Sequence, residues 1–172
     1  MDLASKVRLI KDFPKPGINF RDITTLLQDA GAFRQVVDEL VELCKGLAVD
    51  VIACPEARGF VLGAPLAYAM GKGVVLLRKP GKLPGKTVCH SYELEYGSDA
   101  LEVHEGAIQP GQKVLLVDDV LATGGTVAAA VELVKKSGGE VAGVAFLIEL
   151  LGLDGREKLS GYPVVTLLQL EA

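Results

Sequence analysis

The chain has 172 residues, a length typical of one domain with a sizeable core. Its formal net charge is −4, which excludes a broad nucleic-acid-binding surface, so any anion site must be local. Hydrophobic residues make up 49% of the chain and aromatic residues only 5%, which favours an aliphatic core in a layered α/β fold.

Cysteine usage and the start of the chain indicate the compartment. Cys44, Cys54 and Cys89 are far apart and odd in number, which predicts free thiols in a reducing environment. Residues 1–13 lack the apolar core of a signal peptide, and no apolar run reaches the length of a membrane span. We therefore expect a soluble cytoplasmic protein with no membrane or nucleic-acid partner.

The first part of the chain mixes helix patterns with chain breakers. Three apolar residues at helical spacing predict a short helix over residues 3–10. Residues 12–24 are rich in chain breakers yet keep two phenylalanines and two isoleucines. This composition fits equally a loop that caps the core and a segment that covers a ligand. A clear amphipathic helix is predicted over residues 32–45.

A buried strand is predicted over residues 49–54, followed by a turn and a mostly apolar helix. Arg58 stands at the start of this helix, where the partial positive charge of the helix dipole opposes a cation. An anionic ligand would resolve the conflict, so we interpret Arg58 as part of an anion site. A third short strand is predicted over residues 74–77.

Residues 78–86 are basic and rich in proline and glycine, although the chain as a whole is acidic. On its own this segment is typical of a solubilising loop. Beside other anion sites it favours a mobile flap over a polyphosphate. An antiparallel hairpin follows, with predicted strands over residues 88–95 and 101–104 and a turn at 97–99.

The stretch VLLVDDVLATGGT, residues 114–126, has the strongest functional signal in the chain. A short apolar strand leads to Asp118 and Asp119, and the glycine-rich turn Ala122–Thr126 then opens a helix. Backbone N–H groups and the helix dipole make such a turn an anion site. The carboxylates can accept hydrogen bonds from sugar hydroxyls or face a bound Mg²⁺. The order of these parts predicts a sugar ligand with a phosphate at one end.

Strands are also predicted over residues 141–148 and 164–168, with a short helix over 154–159 between them. Strands that alternate with helices predict an α/β fold with a mostly parallel central sheet flanked by helices. In such sheets ligands bind at the carboxyl ends of the strands, where the turns 55–60 and 118–126 both lie.

Five stretches, in order and spread over nearly the whole chain, resemble the adenine phosphoribosyltransferases of the type I phosphoribosyltransferase family. They are FPKPGINFRDIT, PEARGF, RKPGKLPG, SYELEYG and VLLVDDVLATGGT. The last stretch alone indicates only the superfamily, whereas the first and fourth narrow the resemblance to the adenine enzymes. The resemblance implies a single domain, 1–172, with an N-terminal hood (residues 1–28) and a flexible β-arm or flap (residues 78–104).

The resemblance also implies an activity. Adenine and 5-phosphoribosyl pyrophosphate (PRPP) would give AMP and pyrophosphate in purine salvage, with Mg²⁺ as cofactor and a homodimer as the assembly. The apolar helix at residues 60–70 could contribute to the dimer interface. Mg²⁺ would be held through PRPP and water, with Asp118 and Asp119 nearby and no direct protein ligand.

Individual roles follow from the same resemblance. Phe20 would stack on the purine, backbone groups of its neighbours would read the purine edge, and an apolar side chain would pack against the base; this adenine site comprises Asn19, Phe20, Arg21 and Leu150. Residues implied in PRPP or AMP binding are Arg58, Lys79, Lys82, Tyr96, Asp118, Asp119, Ala122, Thr123, Gly124, Gly125 and Thr126. The Glu56–Ala57 peptide matches a position that is cis in relatives.

Two residues are the catalytic candidates. Arg58 would hold the departing pyrophosphate, and Glu95 would act as the acid/base that takes a proton from the purine. Glu95 lies on the predicted arm beside Tyr96, so flap closure could bring it to the base. A solvated hairpin glutamate is the alternative interpretation of Glu95.

Two departures from the family pattern keep alternatives open. Asn19 stands where relatives usually carry an aliphatic residue, and its amide could add a purine contact. Pro55 is unusual before the pyrophosphate loop and biases Cys54 toward an extended conformation. The alternatives are a transferase for xanthine, hypoxanthine or guanine, and a non-catalytic regulator that senses PRPP. The negative charge and the lack of room for a DNA-binding segment in residues 1–13 oppose the regulator.

Overall fold

The computed structural model describes residues 1–94 and 97–172. Its strands are β1 (Arg8–Ile10), β2 (Phe20–Asp22), β3 (Val51–Pro55), β4 (Gly73–Leu77), β5 (Thr87–Leu94), β6 (Gly97–His104), β7 (Lys113–Leu121), β8 (Glu140–Leu151) and β9 (Val164–Glu171). Its α-helices are α1 (Thr24–Gln28), α2 (Ala30–Cys44), α3 (Arg58–Met70) and α4 (Gly125–Lys136). Two short 3₁₀ helices span Ala4–Lys6 and Gly155–Leu159.

A central sheet is formed by five of the described strands, in the order β4-β3-β7-β8-β9. Every neighbouring pair in this sheet is parallel. The carboxyl ends of the five strands therefore lie along one edge of the sheet, which we call the site edge. The predicted mostly parallel sheet with flanking helices is confirmed.

Both faces of the sheet are covered, because its inner strands β3, β7 and β8 are buried along most of their length. Ile52 and Cys54 of β3 pack toward α2 and α3, whereas Val51 and Ala53 of the same strand pack toward α4 and the β5–β6 hairpin. Strand side chains alternate between faces, so an uninterrupted apolar run fills two core layers. Cys44 of α2 is buried in the first layer, and burial raises the pKa of its thiol to about 11 and that of Cys54 to about 12.

The predicted helix over residues 3–10 is wrong. The chain forms only the 3₁₀ turn Ala4–Lys6 before β1, and β1 pairs antiparallel with β2. The apolar spacing was compatible with a helix, but pairing with a strand ten residues further along satisfies the β1 backbone instead. The hood is thus built on a small two-stranded sheet.

The hood sheet is tied to α1 by a single carboxylate. Asp22 accepts hydrogen bonds from Arg8 Nε at 3.0 Å and from the Thr24 backbone N–H at 2.9 Å. The Thr24 hydroxyl also donates to it at 2.9 Å. The Thr24 N–H and the Arg8 guanidinium lower the pKa of Asp22 to about 2.

The hairpin arm is present, but residues 97–99 do not form its turn. Residues 97–99 belong to strand β6, where Asp99 pairs with Tyr92 of β5. Residues 95–96, which join the strands, lie outside the described residues. Among the described helices, none combines the length and the apolar character that a membrane span requires.

Candidate active site

The two neighbouring carboxylates lie inside strand β7 rather than after it. Pairing with β8 continues past the predicted end of the strand, through Asp118 opposite Phe146 to Leu121 opposite Glu149. Asp119 is only 5% exposed, whereas Asp118 is half-buried. Both carboxylates are thus held on a rigid strand at the site edge.

The turn Ala122–Thr126 connects β7 to α4 as predicted. Gly124 adopts the left-handed φ of +84° that glycine tolerates, and α4 begins at Gly125. Within the described residues no side chain caps the amino end of α4, and Thr123 and Thr126 are exposed beside it. The first N–H groups of α4 are therefore available to an anion.

Arg58 links three parts of the site. Its Nε donates a short hydrogen bond to Asp119 Oδ2, and its guanidinium carbon lies 5.5 Å from the centre of the Phe20 ring. Burial acts to lower the pKa of Arg58, but the hydrogen bond and charge of Asp119 raise it overall. The negative partner expected for an arginine at a helix start is, in this structure, Asp119.

Asp118 is in a different electrostatic environment from its neighbour. Burial and then the adjacent charge of Asp119 raise the pKa of Asp118 well above its usual value. Its Oδ1 accepts the backbone N–H of Asp119 at 2.8 Å. A Cβ added to Gly59 would lie 3.1 Å from the same oxygen, so this glycine lets the start of α3 approach Asp118.

The turn at residues 55–60 and the base of the flap are joined by Glu56. Its Oε1 accepts the backbone N–H of Lys79 at 2.7 Å and Arg78 Nε at 3.2 Å. The Glu56–Ala57 peptide is cis, as predicted. Sequence reasoning assigned no role to the Glu56 side chain, although an acid between two basic segments was a signal.

The two flap lysines differ in their surroundings. Lys79 Nζ forms a short ion pair with Asp99 of the arm and lies 3.5 Å from the Tyr92 hydroxyl. Burial acts to lower the pKa of Lys79, whereas Asp99 and Tyr92 raise it, with a net rise. Lys82 is exposed to solvent. Lys79 is therefore an ordered cation near the site, and Lys82 is a solvated one.

The hood brings an aromatic pair to the site. The Phe20 ring meets the Phe13 ring edge-on, with centroids 5.2 Å apart and planes at 72°. Asn19 is exposed, and an Nη atom of Arg21 donates to the carbonyl of Glu171 at 2.7 Å. Leu150, near the carboxyl end of β8, is half-buried against the core layer of α2 and α3.

Comparison with known proteins identifies the family. Residues 24–169 match the model of the phosphoribosyl transferase domain. The adenine phosphoribosyltransferase of Desulforamulus reducens is 81% identical over 172 residues, which is the full length of both chains. The chain belongs to the adenine phosphoribosyltransferase family.

Solved structures of this family superpose closely on the fold. The crystal structure of adenine phosphoribosyltransferase from Thermoanaerobacter pseudethanolicus is 51% identical, with a TM-score of 0.96 over 98% of each chain. The enzyme from Saccharomyces cerevisiae, crystallised with D-2,5-dideoxy-2,5-imino-altritol 1,6-bisphosphate and adenine, is 41% identical, with a TM-score of 0.91 over 97% of each chain. The predicted family and its type I fold are thereby confirmed.

Two residues expected from the family resemblance lie outside the described residues, namely Glu95 and Tyr96. Their roles stay predictions.

Sequence reasoning missed a further ion pair at the site edge of this phosphoribosyltransferase. Glu149, beside Leu150, accepts hydrogen bonds from Arg156 Nε at 2.9 Å and Nη2 at 2.7 Å. Arg156 is the main cause that lowers the pKa of Glu149 to about 2. A lone acid at the end of an otherwise apolar strand was the signal that could have revealed it.

Mg²⁺ is implied by the family, and the residues at the site edge fit a weakly held hard cation. In the part of the chain that the structure describes, no three carboxylate, histidine or cysteine side chains converge to hold a metal. The two carboxylates on β7 nevertheless suit an ion that takes most of its oxygen ligands from a diphosphate and from water.

Proposed function

We propose that the chain transfers the phosphoribosyl group of PRPP to adenine, giving AMP and pyrophosphate in purine salvage. One observation carries the proposal: Arg58 contacts both Asp119 and the Phe20 ring, beside the turn Ala122–Thr126. Four groups are thus next to one another: a cation for the leaving group, an acid for the sugar hydroxyls, a ring that stacks on the base, and a turn that binds the phosphate. Family membership, and the adenine in the Saccharomyces cerevisiae complex, support the choice of base.

The phosphoribosyl end of the substrate binds at β7 and α4. The N–H groups at the start of α4 and the hydroxyls of Thr123 and Thr126 bind the 5-phosphate, with Ala122, Gly124 and Gly125 supplying the turn. Asp118 and Asp119 accept hydrogen bonds from the ribose hydroxyls.

The pyrophosphate end binds at Arg58, Lys79 and Lys82. Arg58 and Lys79 are paired with Asp119 and Asp99 respectively, so pyrophosphate replaces these carboxylates as their partner. Because both cations are already ordered, little side-chain entropy is lost when they bind the ligand. Tyr96, in the arm, completes the cover over pyrophosphate.

Adenine binds between the hood and the end of β8. Phe20 stacks on the purine, the backbone groups of Asn19 and Arg21 read its edge, and Leu150 packs against the other side. The edge-on contact with Phe13 fixes the plane of the Phe20 ring before the base arrives.

The reaction is a displacement at ribose C1. The C1–O bond to pyrophosphate breaks as the purine nitrogen bonds to C1, through a state with oxocarbenium character. Arg58 stabilises charge on the departing pyrophosphate, and Glu95 takes the proton that the purine loses. Mg²⁺ held through PRPP and water, with Asp118 and Asp119 nearby, would supply neutralisation of the diphosphate charge. A Glu95→Gln enzyme with full turnover would rule out the acid/base role.

The deciding experiment measures pyrophosphate release with PRPP and Mg²⁺ against adenine, hypoxanthine, guanine, xanthine and uracil in parallel. We expect turnover with adenine and at most a trace with the other bases. Turnover with another purine would keep the chemistry but overturn the assignment of the hood. PRPP binding without turnover on any base would favour the non-catalytic regulator.

Two further properties stay proposals. A homodimer is supported by the exposed apolar side chains of α3, described below. A cytoplasmic location is supported by the three free cysteines, Cys44, Cys54 and Cys89.

A further inference from the structure

The turn Ala122–Thr126 rests directly on the 3₁₀ helix Gly155–Leu159. A Cβ added to Gly155 would lie 2.2 Å from the carbonyl oxygen of Ala122, and one added to Gly124 would lie 2.7 Å from the carbonyl oxygen of Gly155. Backbone therefore packs against backbone here, with no intervening side chain that could absorb a shift. Any displacement of the 3₁₀ helix moves the turn that binds the 5-phosphate.

Two anchors hold this 3₁₀ helix in place. Leu159, at its carboxyl end, is 1% exposed and packs in the core layer on the α4 side of the sheet. Arg156, next to Gly155, forms a bidentate ion pair with Glu149 and also donates to the Val164 carbonyl at 3.3 Å. The polar anchor is thus the one adjacent to the glycine contact.

Hydrogen bonds from several residues hold the Glu149 carboxylate in one orientation. It is 7% exposed, and besides Arg156 it accepts the Thr166 hydroxyl at 3.2 Å and the Gln169 amide at 3.0 Å. The Thr166 and Gln169 donors on β9 hold the Glu149 carboxylate in place. Both oxygens of that carboxylate then accept hydrogen bonds from the planar Arg156 guanidinium and orient it. No ligand contact has been assigned to any of these groups.

We propose that Glu149 is a positioning residue for the 5-phosphate turn, acting through Arg156 and the Gly155 backbone. The chain of contacts runs from β9 through Glu149 and Arg156 to Gly155, and from there to Ala122 and Gly124. Since this turn binds the phosphoribosyl end alone, the pair affects PRPP binding more than adenine binding, although Leu150 of the adenine site is the next residue of β8. The inference rests on the proposed function, because it assigns the 5-phosphate to this turn.

The test variant is Glu149→Gln, which keeps the size of the side chain but cannot accept both hydrogen bonds from Arg156. We expect the KM for PRPP to rise about tenfold or more, as for a lost hydrogen bond to a charged group. The KM for adenine should stay within about twofold, because the hood contacts are unchanged. Isothermal titration with ribose 5-phosphate should show the same loss of affinity without any need for turnover.

Glu132→Gln is the matched control. It removes a carboxylate from an exposed pair with Lys135 on α4 and should leave both KM values unchanged. Gly155→Ala supplies a second route to the same effect with the Glu149 pair intact. Its φ lies outside the left-handed region, so the added Cβ acts through its clash with the Ala122 carbonyl and with the Leu121 side chain, 2.9 Å away, on the same side of the turn. We expect it too to raise the KM for PRPP selectively.

A Glu149→Gln protein that melts at lower temperature with both KM values unchanged would overturn the proposal, since the pair would then only stabilise the fold. If that variant does not fold, Arg156→Lys is measured instead, because lysine keeps the positive charge but cannot make two parallel hydrogen bonds to Glu149. The same comparison of the two KM values then decides. A wild-type protein without turnover would refute the proposed function, while the ribose 5-phosphate titration would still decide the positioning role.

Discussion

Arg58 and Asp119 form an ion pair between two groups that the reaction assigns to different parts of PRPP. Asp119 is almost fully buried, and a buried carboxylate without a partner would be costly. The pair therefore keeps the site charge-balanced in the absence of ligand. PRPP would then bind by replacing this ion pair: its pyrophosphate would become the partner of Arg58, and its ribose hydroxyls would donate hydrogen bonds to Asp119.

Asp118 offers a test of the balance between stability and function. Its pKa is raised, so the folded state loses stability as pH rises from the usual value of 3.8 toward the folded-state pKa. Asp118→Asn removes the charge that must be buried, and we expect a higher melting temperature than wild type at pH 7. The gain should shrink as pH falls toward 3.8 and vanish well below that value, where the acid is neutral in both states.

The same substitution should lower kcat/KM for PRPP by about 10- to 100-fold, since a charged acceptor for a ribose hydroxyl becomes a neutral one. Scanning calorimetry and steady-state kinetics on one preparation measure both effects. A variant that melts below wild type at pH 7 would contradict the electrostatic account.

Sequence patterns point to candidate residues of this site more readily than to the partners of those residues. Asp118, Asp119 and the turn Ala122–Thr126 stand next to one another in the chain, so the chemistry of a sugar phosphate could be inferred from them locally. The Glu149–Arg156 pair and the Gly155 contact depend on how separate segments pack. Nothing in the local pattern specifies that packing.

At the scale of elements, the hood is the part where sequence periodicity failed. Of the three apolar residues at helical spacing, Leu3 and Val7 flank the 3₁₀ turn, and Ile10 lies in the short strand β1. Pairing with β2 and the Arg8–Asp22 contact favour the strand over a helix at residues 8–10. Strand β7 illustrates the opposite case, because its polar aspartates interrupted the apolar pattern while pairing with β8 extended the strand to Leu121.

Asp22→Asn tests how far the hood sheet positions Phe20. The substitution loses the charge that accepts from Arg8 and Thr24, so we expect the KM for adenine to rise about threefold to tenfold. The KM for PRPP should change less, which is the reverse of the pattern expected for Glu149→Gln. Asp38→Asn, at an exposed position on α2, is the control.

The pH dependence of the same variant gives a second check. The folded-state pKa of Asp22 is lowered to about 2, so its stabilising effect is complete above the usual value of 3.8. That effect is lost as pH falls toward 2. Melting temperatures of wild type and Asp22→Asn should therefore differ at pH 7 and converge near pH 2 to 3. A constant difference over this range would contradict the ionic role.

At the scale of the whole molecule, the sheet brings together residues that are far apart in the chain. Apolar runs bounded by turns were enough to predict five strands, and the signal is plainest for the inner strands β3, β7 and β8, which are largely buried on both faces. The strand order was not predictable in this way, since neighbours in the sheet are selected by packing of α2, α3 and α4. That order determines that Glu149 of β8 lies opposite Leu121 of β7.

The proposed homodimer is testable on the outer surface of α3 and β4. Tyr68 is 89% exposed, and Val61, Val74 and Leu76 are also exposed on the same side of the sheet. Apolar side chains grouped in this way are typical of a subunit interface. We expect Val61→Asp combined with Tyr68→Asp to convert a dimer to a monomer in sedimentation equilibrium.

Leu43→Asp, at an exposed apolar position on α2, is the matched control and should leave the mass unchanged. A monomeric wild-type protein at micromolar concentration would refute the dimer itself. A double variant that stays dimeric would place the interface elsewhere.

The burial of two of the three cysteines makes the native chain suitable for selective fluorescent labelling. The raised pKa values of Cys44 and Cys54 keep both thiols protonated at neutral pH, and the core shields them from alkylating reagents. Cys89 lies on β5 in the arm and is only half-buried. A maleimide dye should therefore attach to the arm without any engineered cysteine, and its emission would report in real time whether the arm moves as PRPP binds.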